Sequence, residues 1–151
     1  MRNNKAFFLV CMFSIILFLA LLNGYFFDWI NDIFFNYNNN SENGLKDFSI
    51  IEKFIIIIIV GPIIETLIFQ YLPNEALEKL KIINKKILII IPSILFAACH
   101  YYNPIYIVMT FFSGILLNTF YIKCKTQTNL YFVLTVLLHS MYNLYGYLFV
   151  V

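Results

Sequence analysis

Glu65, His100 and His139 stand inside three separate apolar stretches of the chain. Ionisable side chains are expensive in hydrocarbon, so such residues mark functional positions and find their partners inside a helix bundle. Carboxylates and imidazoles are the side chains that most readily exchange protons, so proton transfer is the chemistry such a group could do. Any one of these histidines alone is as readily a hydrogen-bonder between helices. The set is harder to explain that way, because the apolar core holds no other charge to pair with them. Phe96 and His100, and likewise His139 and Asn143, are four residues apart and share a helix face. Pro62, three residues before Glu65, lacks a backbone donor and can free the carbonyl of Ile58 inside the membrane; a routine membrane-helix bend explains it equally well. Cys99 beside His100 reads as a small buried hydrophobe rather than a nucleophile.

The elements that hold these residues must be membrane helices. Of 151 residues, 62% are hydrophobic and only 12% charged, with a mean hydropathy of +0.82, whereas a soluble domain carries about 25% charged residues. Five segments approach the roughly 17–25 residues of a spanning helix. They run from Ala6 to Leu22, read as an uncleaved helix, from Phe54 to Leu72, from Ile87 to Tyr102, from Pro104 to Ile122, and from Leu130 to the C-terminus. Poly-isoleucine favours strand by propensity, but an open strand cannot satisfy its backbone in lipid, so helix prevails. The expected fold is an all-α polytopic membrane helix bundle with about five transmembrane helices and a cytoplasmic N-terminus. Arg2, Lys5, Lys79, Lys81, Lys85, Lys86, Lys123 and Lys125 fall on one side if the segments alternate, leaving Lys46 and Lys53 on or near the other; the lysine-rich side is cytoplasmic by the positive-inside rule.

Counting about 1.5 Å per residue from the cytoplasmic segment ends places Glu65 roughly 10 Å deep, His139 roughly 14 Å and His100 roughly 20 Å. Tilt, and kinks at Pro62 and Pro92, let them meet near mid-bilayer, somewhat toward the cytosol. Residues 1–49 are expected to comprise the first helix and an extracytoplasmic loop. In that loop Phe26, Phe27, Ile30, Phe34 and Tyr37 around Trp29 suit an interfacial helix, followed by a mobile Asn-rich stretch. Residues 50–151 form the core. Tyr101, Tyr102, Tyr106, Tyr131, Tyr145 and Tyr147 are assigned mostly to interfacial belts or packing, and Asn118 and Thr119 to bonds between helices. A net charge of +2 gives no reason to expect a nucleic-acid partner, and the three cysteines give no disulfide framework.

Gly61-Pro62-Ile63-Ile64-Glu65-Thr66-Leu67-Ile68-Phe69-Gln70, Phe96-Ala97-Ala98-Cys99-His100 and His139-Ser140-Met141-Tyr142-Asn143 together resemble the three motifs of the CPBP family. This family comprises CAAX prenyl proteases and bacteriocin-processing or immunity proteins, also called Abi. Its motifs are Glu-Glu-x-x-x-Arg, Phe-x-x-x-His and His-x-x-x-Asn or Asp, on successive helices, and the resemblance covers about residues 50–151. It implies an intramembrane endopeptidase in which Glu65 activates water, His100 helps hold it, and His139 with Asn143 steadies the oxyanion. Thr66 and Gln70 stand where the family has its second glutamate and its arginine; glutamine lacks the charged bidentate fork.

The family is also described as zinc-dependent, and Glu65, His100 and His139 are the candidate ligands. A metal-free glutamate mechanism is preferred, because ligation of Glu65 leaves no second carboxylate as base. The bilayer and a peptide or protein substrate near the cytoplasmic leaflet are the expected partners. Helices that larger members have in addition are either supplied by self-association or not needed. The Ile, Asn, Lys and Phe bias resembles an AT-rich bacterial genome, favouring a bacterial cytoplasmic membrane and a bacteriocin-related peptide over a prenylated substrate. The alternative function is a non-catalytic interaction or bacteriocin-immunity protein. An ion carrier ranks third, because no string of polar residues is expected to lead across both leaflets.

Overall fold

Helices begin where side chains satisfy the free N–H groups of a first turn. Ser49 and Glu52 form a reciprocal capping box. The Asn84 side chain accepts from the Lys86 N–H at 3.0 Å, and that of Asn103, just ahead of Pro104, from the Tyr106 N–H at 2.9 Å. The computed structural model describes residues 2–37, 45 and 47–149. Among them five helices form: α1 (Arg2–Phe34), α2 (Ile50–Lys79), α3 (Lys85–Ala98), α4 (Pro104–Lys125) and α5 (Tyr131–Phe149). All except α3 are long and apolar enough to cross a membrane. The 14 residues of α3 reach about 21 Å, short of the ~30 Å hydrocarbon core. The polytopic helical architecture is therefore as expected, with four spans and a shorter fifth helix.

Two elements differ from expectation. No turn separates a first span from an interfacial helix, because α1 runs unbroken through Gly24. A helical glycine costs about 1 kcal/mol, and the neighbouring contacts oppose that cost: the Asn23 amide donates to both Met109 O and Ser113 Oγ at 3.0 Å. The Asn-rich stretch at 38–44 lies outside the described residues.

In α2 the backbone alternates between α and π registers, with π segments at Ile55–Val60 and Leu67–Tyr71. The residue after each π segment bonds five residues back, Gly61 to Ile56 and Leu72 to Leu67, and a proline follows at once. A π turn takes up an extra residue without breaking the helix, so α2 continues to Lys79 rather than ending at Leu72.

The packing is inverted relative to a soluble protein, as lipid requires. Ile50, Phe54, Ile63 and Leu95 face outward, whereas Thr66, Gln70, Asn74, Ser93, Asn118 and Thr135 are buried. Phe69, Phe96, Leu117, Phe120 and Leu138 form an apolar core among them. Close approach of α3 and α4 is possible because position 114 is glycine; a Cβ there would stand 3.0 Å from Ser93 Cα. Pairing of Phe13 with Phe120 and of Phe27 with Phe112 runs α1 antiparallel to α4, and Lys125 Nζ bonds Glu75 and Glu78 of α2. The lysine-bearing ends of α2, α3 and α4 thus gather at one end of the bundle, as alternation predicts.

Candidate active site

Glu65 Oε2 lies 3.4 Å from His139 Nε2 and 3.7 Å from His100 Nε2. The three residues singled out from sequence therefore meet. The spread in their expected depths came from the segment ends. Because α2 reaches Lys79, Glu65 sits about 21 Å from the lysine end, close to the depth expected of His100. His100 is not on a helix. α3 ends at Ala98 with Cys99 as its cap, and the imidazole turns back so that Nδ1 is 2.7 Å from Phe96 O. A carbonyl only accepts, so Nδ1 carries a proton, and Nε2 is the ring nitrogen that faces Glu65. The Phe96 ring touches both histidines, 4.3 Å from His100 and 5.9 Å from His139 between centroids, which explains a phenylalanine at this spacing.

Asn143 Nδ2 donates to Ile57 O at 3.0 Å. In an α register Pro62 would free Ile58, as the sequence suggested. In the π register of this segment the partner of Ile57 would be residue 62, a proline without N–H, so Ile57 is the orphaned carbonyl. Asn143 fills that place with one amide hydrogen and keeps the other. Gly61 is also required: a Cβ would stand 2.9 Å from Ile56 O and 3.6 Å from Glu65 Oε1.

The residues present fit a zinc ion poorly. Among the described residues no three His, Cys, Asp or Glu side chains are grouped as metal ligands. His139 Nδ1 is buried without a partner, whereas a metal-bound imidazole almost always donates its other N–H. Thr66 supplies no second carboxylate. It is buried with Gln70 on the side of Glu65 nearer the lysines, and neither lines the cavity.

Glu65, His100 and His139 form the floor of a cavity of about 330 Å³ that Phe96, Asn143 and Gly61 also line. The cavity leads to Asp28, Leu45 and Tyr147, at the end of the bundle opposite Lys79, Lys85 and Lys125. The site itself lies near the middle of the bundle, with Glu65 14 residues from Lys79 and 15 from Ile50; what departs from a cytosol-inclined site is the direction in which its cavity opens. Tyr102, Tyr106, Tyr142 and Tyr145 line the cavity as well; sequence reading assigned Tyr102, Tyr106 and Tyr145 to belts or packing and singled out neither Tyr142 nor Asp28. The helical spacing of Tyr142 from His139 was the available signal. Cys99 is exposed rather than buried and lies outside the cavity, because it follows the last turn of α3.

Below the floor, a row of buried polar side chains continues toward the lysines, contrary to expectation. Asn74 Nδ2 donates to Asn118 Oδ1 at 3.2 Å, and Asn118 Nδ2 to Ser93 Oγ at 3.4 Å, which is the interhelical role expected of Asn118. Thr66 Oγ1, both amide atoms of Gln70 and the Tyr121 hydroxyl have no protein partner among the described residues. This row holds no carboxylate or imidazole, so it supplies no charged relay.

The sequence profile of the type II CAAX prenyl endopeptidase Rce1-like family matches residues 47–145, a stretch that includes Glu65, His100, His139 and Asn143. No curated protein and no solved structure matches the chain. The profile covers well over half of the sequence and agrees with the resemblance carried by the three motifs, so this integral membrane chain belongs to the type II CAAX prenyl endopeptidase Rce1-like family.

Proposed function

We propose that the chain is an intramembrane endopeptidase in which Glu65 is the general base. The observation that carries this reading is the placement of Glu65 Oε2 within 3.4 Å and 3.7 Å of two imidazoles at the floor of the cavity. Water between Glu65 and His100 Nε2 donates one hydrogen bond to each; Glu65 takes its proton as the oxygen attacks the scissile carbonyl. Neutral His139 carries its proton on Nε2, leaving only a lone pair unpartnered at the buried Nδ1. That N–H and the second Asn143 amide hydrogen donate to the oxyanion. Glu65 then returns its proton to the leaving amine as the C–N bond breaks, giving a carboxylic acid and an amine. Fixed donors in a water-poor site need no reorganisation, and one such donor is worth about 2.7–4 kcal/mol in the transition state.

The substrate is a membrane-associated peptide or protein and the compartment a bacterial cytoplasmic membrane, the latter on the Ile, Asn, Lys and Phe bias of the chain. Thr66 and Gln70, standing where the family carries Glu and Arg, favour the competing reading of a non-catalytic immunity protein. Comparison of membrane peptidomes from cells carrying wild-type protein and Glu65→Gln separates the two. A product present only with the wild type is expected, and identical peptidomes at equal protein levels would remove the protease reading. Purified enzyme should keep its activity after exhaustive chelation; loss restored by zinc would replace the metal-free mechanism.

A further inference from the structure

Asp28 is half-buried on α1 and lines the same cavity as Glu65. Among the described residues it has neither an ion-pair nor a hydrogen-bond partner. Its surroundings are aromatic: Tyr106, Tyr142, Tyr145 and Tyr147 share the cavity wall, and the Tyr25 and Tyr145 rings are 6.2 Å apart. Removing a carboxylate partly from water without a partner is unfavourable. A cation placed there meets the carboxylate directly, with the tyrosines of the cavity wall around it.

The position of Asp28 relative to the floor follows from helix spacing. Gly24 lies against Tyr142, where a Cβ would stand 3.4 Å from the hydroxyl, and Asp28 is one turn beyond Gly24 on the same face. Tyr142 is about one turn beyond His139. Two turns amount to about 10 Å along the bundle, the span of about three residues of extended peptide.

We infer that Asp28 and the tyrosines beside it form a subsite for a cationic group of the substrate, a lysine or arginine side chain or a free amino terminus, two to three residues from the scissile bond. This rests on the endopeptidase reading, and it names the substrate class of that same site: a peptide that is apolar at the bond cleaved and basic nearby, entering from the end of the bundle away from the lysines. The tyrosines exclude water around the cation, and Asp28 fixes the register in which the backbone crosses Glu65.

The test uses the full chain in lipid nanodiscs and fluorescent apolar decapeptides with one lysine moved position by position, each paired with its norleucine counterpart. Binding is measured on Glu65→Gln, so it does not depend on cleavage. Lysine at one or two adjacent positions should lower Kd by about tenfold relative to norleucine, the scale of a charge-assisted hydrogen bond. Asp28→Asn should abolish that preference while leaving norleucine peptides bound as before, which also shows that the variant is folded. Asp28→Glu should retain it, and Asp28→Lys should transfer it to glutamate peptides. A lysine preference unchanged by Asp28→Asn, or no preference at any position, overturns the subsite. Failure of the wild type to cleave any of these peptides, with the Asp28-dependent preference intact, would count against the endopeptidase reading and leave the subsite standing.

Discussion

Asn143 joins two structural demands that are usually met by different residues. One amide hydrogen closes the gap that Pro62 leaves at Ile57 O, and the other is the one that the proposed mechanism gives to the oxyanion. Asn143→Ala is therefore expected to lower the cleavage rate about 10²–10³-fold and to destabilise the protein by about 1–3 kcal/mol through the unpaired carbonyl. Cleavage of a reporter peptide and thermal unfolding in one detergent read the two effects separately; full activity in the alanine variant would remove Asn143 from the oxyanion site. Glu65, His100 and His139 were legible in the sequence because a charge or imidazole within an apolar run stands out against its background, and Asn143 through its four-residue spacing from His139. Asp28 and the cavity tyrosines were not. Tyrosine and aspartate near the ends of apolar segments are also what an ordinary interfacial belt contains, and only the packing of α1 against α5 distinguishes the two.

Helix identities were legible for a similar reason, since apolar run length alone separates spanning segments from their connections. Registers were not: five consecutive isoleucines look the same whether the backbone bonds four residues back or five. Pro62 links the register of α2 to the aim of Glu65. Pro62→Ala restores an N–H at that position, which allows the preceding π segment to relax to α and turns Glu65 by about 100° against the residues before it. Cleavage should drop by an order of magnitude or more while far-ultraviolet circular dichroism stays unchanged, and an alanine variant of normal activity would show that the register does not matter. The end of α3 was misjudged because Cys99 and His100 continue an apolar, helix-compatible stretch; at that end the His100 imidazole occupies Phe96 O while its backbone N–H turns to Ala97 O, a local side-chain choice that apolar run length does not report.

The bundle as a whole has a polar end rich in lysine and a cavity that leads the other way. By the positive-inside rule the cavity then faces the extracytoplasmic side. In a chain whose three native cysteines are replaced, a cysteine at Asp47 should react with an impermeant maleimide on intact cells, and one at Lys85 only after permeabilisation. The reverse pattern would invert the molecule in the membrane and place its substrate in the cytosol. The short α3 carries a separate consequence, one that concerns the lipid around it. At about 21 Å it is roughly 9 Å shorter than an average hydrocarbon core, and the non-helical backbone at exposed Tyr101 carries the chain on from there, with polar groups that lipid does not satisfy. Lipid beside α3 must thin to keep those groups hydrated, at a cost of fractions of a kcal/mol per Å. Cleavage should accordingly be faster in bilayers of short-chain phosphatidylcholine than in long-chain ones of equal fluidity, so that membrane thickness itself would regulate the enzyme.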